Sequence, residues 1–321
     1  KTQKEPLALT HYHYQMDGFD RLPDSLLLLI INNLSEVKTL ARLRSVSRRF
    51  NLLVPQAERL LLRVDCVVSP ESDSESLFPA VLRFFLSSLH GLFKFHDGGS
   101  KPAAAGTRSR NHSPAQILSH FDRIRDLRME LPSGDLKLEN GVLVKWRAEF
   151  GRTLRSCVIL GFREQEDDAG DFPGGLKSCV IWTISALIAA SARHYLLRDV
   201  VMEHKELTQL RLYDRQGEGV LVMKGDGLKE FRSFDWCADR SNGGNRAVVP
   251  SVRMRMRHSP RVPNGSACSI GGILVVIRPV GSVEDCTDSE LALKAFEGGL
   301  HGEAIRELLK SNSYTLEMNS F

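Results

Sequence analysis

The sequence predicts an α+β architecture: three short helices at the N-terminus, then a longer α/β domain with an irregular, leucine-rich-repeat-like pattern. Three observations lead there. Residues 22–55 hold three short apolar stripes at helical spacing, each closed by a helix stop. Residues 121–131, 153–160 and 206–213 share a Leu-x-x-Leu-x-Leu cadence that reads as a helix end followed by a short strand. Residues 176–197 form a nearly unbroken apolar helical pattern, expected to be buried on most sides.

The chain of 321 residues accommodates a small module beside a larger domain. Its 42% hydrophobic and 26% charged content match a globular protein. A net charge of +4 falls well short of the basic excess of a nucleic-acid binder. The six cysteines include no C-x-x-C pair, so neither a zinc site nor a redox motif is expected, and reduced buried thiols are. The longest apolar run, about 180–190, is shorter than the roughly 20 residues a membrane span needs, and no signal-peptide layout opens the chain. Residues 1–15, with His11-Tyr12-His13-Tyr14 and no initiator Met, read as a disordered, non-native-looking leader.

Leu22-Pro23-Asp24 opens the first helix. Proline costs little in a first turn, and Asp24 suits the positive end of the dipole. Leu26, Leu27, Ile30, Ile31 and Leu34 follow at helical spacing, and Leu28 and Leu29 widen the stripe beyond one core face. Asn32-Asn33 and Ser35 stop it, and Ser35 is expected to cap a second helix carrying Leu40, Ala41 and Leu43. A third helix is expected over 46–54, with Val46, Phe50, Leu53 and Val54 on one face and Pro55 closing it. Three helices this short cannot bury so much leucine against one another, which implies a partner surface.

These residues resemble a known family. The stretch from Phe19 through Leu22-Pro23-Asp24 and the leucine run to Leu34, then Leu40-Ala41-Arg42-Leu43-Arg44-Ser45-Val46-Ser47-Arg48-Arg49-Phe50, is similar to an F-box. Ser47 stands where the family commonly has Cys, and Phe50 where it has Trp. The resemblance implies an F-box at 16–58 and a substrate-recruiting domain at 59–321. It also implies that Leu22, Pro23, Leu26, Ile30, Leu34, Leu40, Leu43, Val46 and Phe50 form the surface that binds a Skp-type adaptor, and the helical core behind it. Through the adaptor the chain would join a cullin–RING (SCF) ubiquitin ligase, bringing an unknown protein substrate to ubiquitination. The alternative is an interaction or regulatory scaffold that binds the adaptor without cullin. The apolar helix at 176–197 resembles a segment of the plant auxin-up-regulated F-box type, which implies a plant protein and a hormone response. Localisation in the nucleus, the cytoplasm or both is expected.

Beyond the module, residues 60–68 read as a strand and 77–95 as an amphipathic helix. Residues 97–114, rich in Gly, Ala, Ser and basic residues, read as a disordered insertion in which Ser109 and Ser113 could be phosphorylated. The three cadenced phrases are spaced unevenly, roughly 30 and then roughly 50 residues apart, where a true repeat keeps one period. Gly174-Gly175 precede the long helix, and Arg193-His194 fall in its last turns, where positive charge suits the dipole. Further strands are expected at 220–223, 251–258 and 272–278, the last central, with closing helices at 289–296 and 300–309.

Arg253, Arg255 and Arg257 alternate on one face of their strand. They could grip an acidic or phosphorylated substrate, or simply keep an edge strand soluble. The acidic run 164–168 reads as a solvated loop. No nucleophile elbow, P-loop or H-E-x-x-H pattern is present, Gly225-Asp226-Gly227 lacks nucleotide-loop spacing, and the histidines are scattered. No catalytic residue, metal or cofactor is expected.

Overall fold

The computed structural model describes residues 18–64, 117–132, 136, 141–163, 173–234, 249–263, 270–282, 287–297 and 301–320. The expected leader, the helix at 77–95, the insertion at 97–114 and the acidic run at 164–168 lie outside the described residues.

After a 3-10 turn at Gly18–Arg21 come helices α1 (Asp24–Leu34), α2 (Val37–Arg44) and α3 (Arg48–Leu53). Pro23 occupies the N-cap of α1. Ser35 does not cap α2: it ends α1 in the left-handed region, φ 48°, donating its N–H to Ile31, and Glu36 is the N-cap of α2. The third helix is shorter than 46–54, because Ser47 adopts an extended backbone and its hydroxyl accepts from the Phe50 N–H.

Among the described residues, nine strands then form one mixed sheet: β1 (Arg59–Arg63), β2 (Asp126–Leu131), β3 (Val142–Phe150), β4 (Leu154–Arg163), β5 (Gln209–Asp214), β6 (Gly219–Lys224), β7 (Val252–Val262), β8 (Ile270–Pro279) and β9 (Ser313–Met318). Their spatial order is β1-β2-β5-β6-β3-β4-β8-β7-β9. β1, β2 and β5 run parallel, as do β6 and β3; every other neighbouring pair is antiparallel. Among the described residues the further helices are, in order, α4 (Pro173–Leu196), α5 (Arg198–Glu203), α6 (Gly225–Ser233), α7 (Asp288–Ala295) and α8 (Gly302–Lys310).

The expected leucine-rich-repeat character is not what the cadenced phrases build. Two of them become β2 and β5, parallel neighbours, but the third becomes β4, which lies antiparallel between β3 and β8. A solenoid needs each strand to add in parallel beside the last. Here the cadence marks only strands with one buried, mostly apolar face.

That face is continuous. Leu62, Met129, Leu212, Leu221, Ala148, Cys157, Ile277, Met254 and Leu316 are successive register partners from β1 to β9. On it packs α4, across β6, β3 and β4, and the same core takes in α5 and α6. Gly227 lets α6 start close against β3: a Cβ there would lie 2.6 Å from the Phe150 carbonyl oxygen. On the opposite face α7 and α8 cover only the β4-β8-β7 part, through Val158, Leu160, Phe162, Leu274 and Val276. This explains why β4 and β8 are apolar on both faces, whereas β2 and β5 alternate leucine or methionine with charged or polar residues. β8 is interior, as its all-apolar sequence suggests, and β7 is not an edge, because β9 pairs with it.

The helical module is fused to the sheet. Leu27, Ile31, Val37, Leu40, Leu53 and Val54 are buried in the same core as the β1 and β2 side chains. The Leu61 N–H donates to the Ser35 carbonyl at 2.8 Å, and the Asn32 side-chain oxygen accepts from the N–H groups of Glu58 and Arg59 at 2.8 and 3.3 Å.

Candidate partner-binding site

Helix α1 has two apolar faces, and the fold uses one. Leu27 and Ile31 point into the core. Leu26, Leu29, Ile30 and Leu34 are exposed by 45%, 57%, 39% and 44%. After Asp24 the helix carries no charge to solvate that outer face. Leaving four large aliphatic side chains in water forgoes about 1.5–3 kcal/mol for each one that a partner could bury. Concentrated on one short helix, such exposure marks a protein interface.

The nine residues implied by the resemblance sort into layers. Pro23, Leu26, Ile30, Leu34 and Val46 are exposed. Leu22, Leu43 and Phe50 are half-buried and pack against the core edge. Leu40 is fully buried, so its place is the core behind the surface, not the surface. Phe19, Leu29 and Leu52 are exposed apolar residues outside the adaptor set the resemblance implies, though the sequence reads Leu29 as widening the stripe beyond one core face. For Leu29 and Leu52 the signal was available, since each lies off the buried stripe of its helix.

The entry to α1 is held by α3. The Arg49 guanidinium reaches Asp24 Oδ1 at 2.8 and 2.6 Å and donates to the carbonyls of Phe19, at 3.0 Å, and Leu22. Phe19 meets Phe50 edge-on, ring centroids 5.9 Å apart. Arg49 thus fixes the Phe19–Asp24 segment, and with it Leu22 and Pro23. It escaped the sequence reading because a clamp role depends on a contact 25 residues away. Phe50, at the usual Trp position, anchors this corner, and Ser47, at the usual Cys position, caps α3.

The arginine stripe on β7 is engaged within the chain. Arg253 pairs with Glu317 at 3.0 Å and Arg255 with Asp288 at 2.6 Å; Arg257 donates to the carbonyls of Leu309 and Ser311 at 3.0 and 2.6 Å. These bonds staple β9, α7 and the end of α8 to β7, so the stripe is a structural seam. Among the described residues no cluster of three His, Cys, Asp or Glu side chains is placed to hold a metal ion.

The F-box-like family profile matches residues 19–63, which span α1 to α3 and run to the end of β1. Over nearly the whole chain it is similar to curated plant proteins. F-box protein AUF1 of Arabidopsis thaliana is 46% identical, with 95% of this chain and 100% of the relative covered. F-box protein AUF2 of the same plant is 48% identical, with the same coverage of each. A further Arabidopsis thaliana F-box protein is 40% identical over 96% of this chain and 95% of its own length. No solved structure matches this chain.

Proposed function

Since this chain belongs to the plant F-box proteins of the type that includes AUF1 and AUF2, we propose that it is a substrate-receptor subunit of an SCF ubiquitin ligase. The outer face of α1 docks on a Skp-type adaptor, which links the chain to a cullin–RING ligase. The sheet domain holds a target protein for ubiquitination and proteasomal degradation. Catalysis belongs to the ligase partners; this chain acts by raising the local concentration of target at the charged conjugating enzyme.

One observation carries the reading: α1 buries Leu27 and Ile31 in the core while Leu26, Leu29, Ile30 and Leu34 stand in solvent. The rigid join between module and sheet supports it further. Hydrogen bonds that Asn32 and Ser35 accept from the N–H groups at the start of β1 fix the sheet's direction relative to the adaptor. A receptor needs that, because a tether that swings freely presents its target less often in productive geometry. The buried thiols Cys157 and Cys179, pushed up by burial to about 12 and about 11, are inert structural groups and fit a reducing nucleus or cytoplasm.

Reconstitution tests the reading. The chain mixed with a Skp-type adaptor, a cullin and its RING subunit is expected to run as one complex on size-exclusion chromatography. The Leu26→Asp/Ile30→Asp variant is expected to leave that complex. A wild-type chain that binds no adaptor would refute the proposal, and one that binds adaptor but excludes cullin would make it a scaffold.

A further inference from the structure

The part of the second sheet face that α7 and α8 leave bare is a cleft of about 1310 Å³. Strand register lays out its floor. One row runs Arg128, Arg211, Val222 and Glu149 across β2, β5, β6 and β3. The next runs Tyr213, Val220 and Arg147. Leu291, Phe296 and His301 wall it on the α7 side.

The lining is basic: cations outnumber carboxylates by eight to four. Several are already neutralised, Arg155 by Glu230 at 2.6 Å and Lys224 by Glu149 at 3.6 Å. Lys145, Arg147 and Arg211 make no ion pair among the described residues. Arg147 is held in place, donating to the carbonyls of Trp146, Glu218 and Gly217 at 2.9, 3.2 and 3.0 Å, with its guanidinium 5.0 Å from the Phe296 ring centroid. The cations feel one another. Burial lowers Arg147 to about 10; Asp214 opposes this, while Arg211 and Arg193 add to it. Burial lowers Lys145 and Arg147 adds to it, while Glu218 and Asp214 oppose. His301 is lowered by burial, then by Lys145 and Arg147.

We infer that this cleft docks an acidic, extended segment of the protein substrate. Lys145, Arg147 and Arg211 face the segment's carboxylates, and Tyr213, Val220 and Phe296 take its apolar side chains. The inference rests on the receptor reading above and names the substrate chemistry. Charge complementarity selects the occupant: basic groups outside any ion pair among the described residues, with Arg147 held in place by backbone carbonyls, favour incoming carboxylates. Polypeptide fits better than nucleic acid, because a phosphate backbone would lay an unbroken run of charge over Glu149, Asp226 and Glu230 as well, whereas a peptide can set its carboxylates against the cations and its apolar side chains elsewhere. Recognition runs through side chains, since β2, β5, β6 and β3 each pair on both edges and offer no free strand edge to an added strand.

The test is fluorescence anisotropy of a labelled decaglutamate peptide titrated with the full chain bound to a Skp-type adaptor. Binding is expected, weakening as salt screens the charges. It should fall roughly tenfold or more in Lys145→Glu and in Arg211→Glu, and by less in Arg211→Gln. Decaglutamine should not bind. Thermal melts of the variants show whether each is folded, and Arg211, an exposed residue, is the safeguard if Lys145→Glu destabilises the sheet. Undiminished binding by folded variants overturns the inference, as does tighter binding of a single-stranded oligonucleotide. If the adaptor complex forms but decaglutamate does not bind, the cleft inference fails and the receptor reading stands. If no adaptor binds, yet the chain alone binds decaglutamate in a Lys145- and Arg211-dependent way, the cleft stands and the receptor reading fails.

Discussion

Arg193 and His194, adjacent in the last turns of α4, show how far burial can revise a sequence expectation. Basic residues at a helix C-terminus read as partners of the dipole; here both are fully buried and have further roles. Arg193 pairs with Asp214 at 3.1 Å, donates to the Gly219 carbonyl at 2.7 Å and lies over the Trp146 ring. Asp214 in turn accepts from the N–H groups of Glu218 and Gly219, at 2.8 and 2.6 Å, which closes the β5–β6 hairpin onto α4. Removing one partner strands a buried charge, so Asp214→Ala is expected to lose about 3–5 kcal/mol in urea unfolding. His194 donates to the Gly151 carbonyl at 2.9 Å, between the rings of Phe150 and Phe231. Burial lowers it to about 4, against the backbone bond that raises it. The neutral ring is therefore the folded form, and unfolding takes up a proton between about pH 4 and the ordinary value near 6.5. Stability from this group is complete above about pH 6.5 and is lost as pH falls toward 4, by at most about 3 kcal/mol. Urea midpoints at neutral and mildly acidic pH measure the slope. His194→Phe should flatten it in part, since burial also lowers His204 and His301.

Among the elements, α1 was the most legible. Its start at Pro23, its end near Ser35 and its excess of leucine are all local signals. Which leucines face inward was not legible, because that depends on β1 and β2 arriving from later in the chain. The split shows why the module's apolar residues need no single explanation: Leu27, Ile31 and Leu40 serve an internal core, and Leu26, Leu29 and Ile30 stand in solvent, where the proposal puts the adaptor. α3 holds the partner face in shape through Arg49. Arg49→Ala is expected to lower stability by about 1–2 kcal/mol, the worth of a few charge-assisted hydrogen bonds at a partly exposed site. It should also weaken adaptor binding by freeing Leu22 and Pro23, whereas Arg49→Lys should rescue only in part, lacking the fork that reaches Asp24 and two carbonyls together. Titration calorimetry with the adaptor separates these outcomes. β3 was legible but overlooked: Val144, Trp146, Ala148 and Phe150 alternate with Lys145, Arg147 and Glu149. β9 was not, since all but one of its side chains are exposed and its pairing partner lies far back in sequence.

Across the whole molecule, the sequence led to helices followed by an α/β domain but not to the order of strands. Recurring Leu-x-x-Leu-x-Leu phrases suggested a repeat because strands that share one buried face look alike, whether or not they are neighbours. Topology comes from long-range register, such as β2 beside β5 and β4 beside β8. The basic residues of β2, β3 and β5 were individually unremarkable, and the sheet gathers them into one cleft. The arginines of β7 stood out by pattern, yet the fold spends them on carboxylates and carbonyls of its own. The resulting molecule has an exposed apolar helix face at one edge of the sheet and a basic cleft on the sheet itself, joined through a shared core. Its central claim is that α1's outer face binds a Skp-type adaptor. The most direct measurement is the adaptor's dissociation constant for wild type and for Leu26→Asp/Ile30→Asp, with thermal melts alongside. Removing two buried aliphatic contacts and inserting two carboxylates predicts a loss of roughly a hundredfold or more, with the melting temperature held or raised. An unchanged dissociation constant in the folded variant would contradict the account.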